Sequence, residues 1–166
     1  MTTPRRSDDR TGDHRRSRLV AAAERIRKAA PAVPDEARTS PDPETGERWD
    51  RGQVLAHVAE ILPYWTRQAE LVVERGGGVP FGRVKSDPER IAVIARDRHD
   101  DPARLLERMD QGVRDMVALL DRLDDEALAR TGTHERLGEM TVAGIIDRFL
   151  VEHLEEHADQ LEEGPR

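Results

Sequence analysis

Apolar residues in this 166-residue chain recur every three to four positions in four separate stretches, and nowhere do they alternate over the length of a strand. That periodicity confines the core to helices packed on helices. The first stretch, from about Ser17, carries Leu19, Ala22, Ala23, Ile26 and Ala30 and stops at Pro31 and Pro34. The second follows an Asp50/Gln53 pair with capping-box spacing. It carries Val54, Leu55, Val58, Ile61, Leu62, Trp65, Ala69 and Val72 and ends at Gly76-Gly77-Gly78. The third opens at Asp101-Pro102, with Leu105, Met109, Val113, Met116, Val117, Leu120 and Leu123 on one stripe. The last, capped by Thr141 and stopped by Gly164-Pro165, carries Val142, Ile145, Ile146, Phe149, Leu150, His153, Leu154, His157 and Leu161. Residues 1–16 have no apolar period and read as a disordered tail. A proline-rich loop spans 31–49, a connection with a helix start at Ser86-Asp87-Pro88 spans 79–101, and a polar segment spans 124–139. The expected fold is all-α, a four-helix bundle over residues 17–163.

Composition narrows the function. A formal charge of −7 and 3% aromatic residues argue against nucleic-acid binding, since phosphate backbones would be repelled and stacking platforms are scarce. The chain has no cysteine, which removes disulfides, thiolate zinc sites and cysteine nucleophiles. No apolar run is long enough to cross a membrane, and the polar N-terminus lacks the core of a signal peptide, so a cytoplasmic protein is expected.

Three histidines lie on the apolar stripes. His153 and His157 are one turn apart on one face, about 6 Å between Cβ atoms, close enough for both imidazoles to reach one ion. His57 sits between Val54 and Ile61 and also points inward. His14, His99 and His134 fall in the tail, a polar helix end and a loop, and are not expected to join them. His57 is about 10 Å from the start of its helix and the other two about 9–15 Å from the end of theirs. They are level only if the second and last helices run antiparallel, which requires an up-down-down-up order with a long crossover between the second and third helices. Residues 76–101 suffice, because extended chain covers about 3.3 Å per residue and the bundle is about 35 Å tall.

Burying three separate imidazoles costs about 1–3 kcal/mol for each unsatisfied polar group, whereas one divalent ion satisfies all three. His57, His153 and His157 are therefore the expected metal ligands. Gln160 and Glu60, each one turn beyond a histidine, are candidates to orient a ligand, surface solvation being the default for Glu60. Trp65 and Phe149 are candidates to wall a pocket, with ordinary core packing as their alternative. Three neutral ligands leave coordination positions open, the pattern of a catalytic rather than a closed site.

Trp49-Asp50 leading into Val54-Leu55-Ala56-His57, then Thr141 ahead of a helix with His153-x-x-x-His157-x-x-Gln160-Leu161, resembles the DinB-like family of four-helix metalloenzymes. That family includes the N-terminal domain of mycothiol-dependent maleylpyruvate isomerase and related thiol transferases. The resemblance covers about residues 17–162. It implies an up-down-down-up bundle, a zinc or nickel ion on His57, His153 and His157, frequent homodimers, and S-transfer from mycothiol to a small electrophilic substrate. Some relatives carry a glutamate where this chain has His153. The weakly apolar first helix and the polar 79–101 connection depart from the pattern. A metal-dependent hydrolase and a non-catalytic metal-binding bundle with a stress-related role remain alternatives.

Overall fold

The computed structural model describes residues 8–163. Four principal helical rods form a bundle: α1 (Asp8–Ala29), α2 (Arg51–Arg75), α4 (Pro102–Leu120) and a last rod built from α6 (Val142–Ile146), a π-helical turn (Asp147–Glu152) and α7 (His153–Glu162). The shorter α3 (Pro88–Asp97) and α5 (Asp125–Ala129) lie in the connections. The expected caps are present. Asp50 and Gln53 form a reciprocal capping box, Asp87 and Asp101 accept from the first turns of α3 and α4, and Thr141 accepts from Gly144 N.

Contacts between the rods fix their directions. From residue 15 to 25, α1 pairs with Asp147, Glu155, Asp159 and Glu162 in rising order, so α1 and the last rod are parallel. Arg16 pairs with Asp121 and Arg27 with Asp110, so α1 and α4 are antiparallel. Thr66 bonds Met116 and Glu70 pairs with Arg122, so α2 runs parallel to α4. The order is up-down-down-up, as the level histidines require.

Leu19, Ile26, Leu55, Leu62, Leu105, Met116, Ile145 and Leu154 are among the side chains that fill the core between the rods. The α2–α4 approach is close at Gly112, where a Cβ would lie 2.6 Å from the Cβ of Leu62.

Two expectations need correction. Helix α1 starts at Asp8, nine residues before Ser17. Without an apolar stripe, this first part is held laterally, by Arg15 on Asp147 and Arg16 on Asp121. Residues 1–7 of the expected tail and the Gly164-Pro165 stop lie outside the described residues. The connections are also not free of strands. β1 (Val79–Phe81) pairs in parallel with β2 (Thr131–His134), which pairs antiparallel with β3 (Gly138–Thr141). Strands of three and four residues are too short to show a period.

The crossover does not leave the bundle. Gly76, Gly77 and Gly78 all have positive φ, 54°, 60° and 76°, a run open to glycine without strain, and they reverse the chain. It then retraces α2 toward its start: Gly82 N donates to Gln68, Arg83 reaches Glu60, and Arg98 pairs with Asp50.

Candidate metal centre

His57 projects from α2 and His153 and His157 from α7, and one ring nitrogen from each lies within 4.8 Å of the other two. His57 Nε2 faces His153 Nε2 at 3.0 Å. All three expected ligand residues are thus brought together. The antiparallel crossing is visible along the pair of rods: His57 meets His153 and His157, and eight residues on, Trp65 stacks on Phe149, which precedes them.

The π turn ends where His153 begins, so the first histidine of α7 follows directly on a wider helical turn.

Each histidine is followed three residues later by an acceptor. His157 Nδ1 bonds Gln160 Oε1 at 2.7 Å; because the amide oxygen can only accept, Nδ1 carries the proton and Nε2 presents a lone pair. That Nε2 is buried and has no partner among the described residues. His57 Nδ1 is also buried and unpartnered, with Glu60 Oε2, itself unpartnered, 3.7 Å away. His153 Nδ1 lies 3.8 Å from Glu156 Oε2, a neighbour that inspection of the stripes did not single out. Glu60 is not on the solvated surface. It is 8% exposed, and its other oxygen is held by Arg83 from the crossover.

Burial pushes all three imidazoles below the ordinary histidine value, His157 to about 4, with His57 and His153 lowered further by their neighbours in the cluster and by Arg90. They are neutral at pH 7, the state that coordinates a metal. Burial pushes Glu60 upward, against the pull of Arg83. A neutral three-nitrogen donor set, two of its histidines buried and His153 partly so, with an inward lone pair left unsatisfied among the described residues, fits a divalent ion.

The cluster forms part of the lining of a cavity of about 430 Å³. Trp49, just ahead of the α2 cap, packs edge-on against His57 at 5.0 Å and stacks with His157 at 6.3 Å. Trp65 and Phe149 stack with ring centroids 3.8 Å apart and planes nearly parallel, and both line the cavity. His134, expected to stay apart, is buried and lines the same cavity beside them. Its Nδ1 accepts from the Arg136 and Leu137 backbone and its Nε2 donates to the Arg83 carbonyl, so both nitrogens have partners. The rim is tied by Lys85 to Asp42 and Glu44 and by Arg136 to Glu44. Of the lining residues not already named as candidates, Trp49 carried a signal in its place beside the capping box, whereas Arg83, Lys85, Arg90 and Arg136 lie in the connections between the rods.

Residues 13–161 match the DinB superfamily. No curated protein matches the sequence significantly. Among solved structures, the fold is similar to that of YfiT from Bacillus subtilis, described as a probable metal-dependent hydrolase with an unusual four-helix bundle topology. The TM-score is 0.75 at 18% identity over 98% of this chain and 90% of that one. It is also similar to mycothiol-dependent maleylpyruvate isomerase, with a TM-score of 0.68 at 14% identity over 90% of this chain and 60% of the isomerase. A histidine-to-alanine mutant of that enzyme gives a TM-score of 0.67 at the same identity and coverage. Among the described residues no helix is long and apolar enough to cross a membrane.

Proposed function

This chain belongs to the DinB superfamily, and from that premise we propose that it is a divalent-metal-dependent enzyme that transfers a low-molecular-weight thiol, mycothiol, onto a small electrophile. The observation that carries this reading is the convergence of three neutral imidazoles on a solvent-connected cavity in a chain with no cysteine of its own. A zinc or nickel ion held by His57, His153 and His157 supplies Lewis acidity, lowering the pKa of a thiol or water and stabilising developing negative charge. The protein's own groups do the rest. Gln160 fixes the His157 tautomer, Glu60 clamped by Arg83 faces His57 Nδ1, and Trp49 packs over the imidazoles. The Trp65–Phe149 pair offers a flat apolar wall to the electrophile. Without a side-chain thiol, the sulfur that is transferred has to come from a cosubstrate.

A second reading, metal-dependent hydrolysis, is favoured by the fuller match to YfiT, 90% of that chain against 60% of the isomerase. Both use the same donor set and differ in the nucleophile. Incubating the metal-loaded protein with mycothiol and a panel of electrophiles such as monochlorobimane separates them. Thiol conjugation above the metal-free and His57→Ala controls supports transfer. Hydrolysis of the electrophile without thiol consumption supports the hydrolase, and no turnover of either kind leaves a metal-binding module.

A further inference from the structure

Among the described residues, five arginines hold a carboxylate on the Nε–Nη2 edge of the guanidinium: Arg15 on Asp147, Arg18 on Glu155, Arg25 on Glu162, Arg27 on Asp110 and Arg96 on Asp97. Arg90, on the first turn of α3, does not. Its Nη1 donates to the Lys85 carbonyl at 2.8 Å and its guanidinium lies 5.4 Å from the Trp49 ring. No carboxylate among the described residues pairs with it, and its Nε and Nη2 are not among the sealed polar atoms. Arg90 lines the cavity, separated from the imidazole cluster by one indole, since Trp49 contacts both. The other cations of the crossover wall are engaged: Arg83 by Glu60, Lys85 by Asp42 and Glu44. Arg148 also lacks an ion pair among the described residues, but it is exposed to solvent.

A partly buried guanidinium without a counter-ion is costly, and the cost is visible: burial and the charge of Arg83 hold Arg90 below the ordinary arginine value. The planar Nε–Nη2 fork matches a carboxylate in two parallel hydrogen bonds. We infer that Arg90 is the anchor for a carboxylate on the small-molecule substrate, holding it so that the rest of the molecule lies along the Trp65–Phe149 wall beside the three histidines. This names the substrate class of the proposed enzyme and so rests on that reading for its catalytic meaning, though the binding itself requires no metal.

The test uses the full chain, stripped of metal by a chelator, and isothermal titration with trans-cinnamate and its neutral isostere cinnamamide. Wild type should bind cinnamate at least about tenfold more tightly than cinnamamide, the scale of a charge-assisted hydrogen-bond pair. Arg90→Gln should lose that preference while keeping its affinity for the amide, and Arg90→Lys should recover only part of it. Equal binding of acid and amide by wild type, absence of cinnamate binding, or an unchanged preference in folded Arg90→Gln would overturn the assignment. Should Arg90→Gln not fold, the wild-type comparison and the movement of the Arg90 Nε–H NMR signal on titration with cinnamate decide it. Failure here with metal content intact removes the carboxylate anchor alone. Retained carboxylate selectivity in a protein that binds no metal removes the proposed chemistry alone.

Discussion

Acidification should weaken the metal-free protein already between about pH 6.5 and 5.5. His57 and His157 are buried, and their folded pKa values lie well below the unfolded value of about 6.5, that of His157 at about 4. Between those limits the unfolded chain takes up protons that the folded chain refuses, so stability is intact above pH 6.5 and is lost as pH falls toward 4. Each such histidine costs about 1.4 kcal/mol per pH unit below 6.5, so at pH 5.5 the pair removes about 3 kcal/mol. His153 moves in the same direction, but its side chain is 28% exposed and it contributes less. Glu60 and Glu156, whose pKa values are raised, take up protons in the folded state and oppose the effect toward the acid end of the window. Glu44, paired with Arg136 and Lys85, and Asp97, paired with Arg96 and Arg108, are shifted the other way, toward more acid pH. For a chain of this size the loss corresponds to a fall in Tm of about 6–12 °C between pH 7.5 and 5.5. Thermal unfolding followed by circular dichroism in the presence of a chelator measures it. The His57→Leu/His157→Leu variant should show a clearly flatter profile. A wild-type Tm unchanged over this range, or the same fall in the double variant, would refute the reasoning.

The remaining expectations concern the ion and the packing. The double substitution His153→Ala/His157→Ala should abolish stoichiometric zinc or nickel binding by elemental analysis of untagged protein, and full metal content in that variant would place the site elsewhere. Gln160→Leu removes the acceptor that fixes the His157 tautomer and should lower zinc affinity by about 10–100-fold in competition with a chromophoric chelator. An unchanged affinity would show that the His157 Nδ1 bond is dispensable. Gly112→Ala drives a methyl group into Leu62 at the α2–α4 contact and should cost about 1–3 kcal/mol in urea denaturation, with metal content unchanged; a neutral result would mean the two helices can separate freely there.

What could be read from the sequence and what could not divide along physical lines. His57, His153 and His157 were legible because each occupies a position that the 3.6-residue period assigns to the core, and their axial levels alone required α2 and the last rod to be antiparallel. Trp65 and Phe149 were legible as stripe residues, but their mutual stacking is a contact across 84 positions of sequence and needed coordinates. Glu60 looked like a surface acid because its neutralising partner, Arg83, lies 23 residues away on a segment with no period of its own. His134 looked like a loop residue because β2 is four residues long; its inward alternation with Gly132 is obvious only once β1 and β3 are paired on either side. The start of α1 was hidden for a related reason: it is held by arginine–carboxylate pairs with the last rod and α4, which leave no apolar pattern.

The down-down arrangement of α2 and α4 explains why these hidden residues collect around the three-histidine cluster. Two parallel helices joined in sequence need a chain that returns the full length of the first. The crossover makes that return along α2, passing Gln68, Trp65 and Glu60 before α3 brings Arg90 to Trp49 and Arg98 reaches the cap at Asp50. The rods therefore supply the three imidazoles, their acidic neighbours Glu60 and Glu156 and the aromatic wall, under the constraint of core packing, while the return segment supplies the cations Arg83, Lys85 and Arg90. Residues on the rods are bound by helical period and packing density, so a change there costs stability. Residues 82–90 are held instead by ion pairs and single hydrogen bonds, Arg83 to Glu60, Lys85 to Asp42 and Arg90 to the Lys85 carbonyl, so the donor set does not depend on their packing. On the reading proposed above, substrate selection falls to residues 82–90 and the holding of the ion to His57, His153 and His157 on α2 and α7.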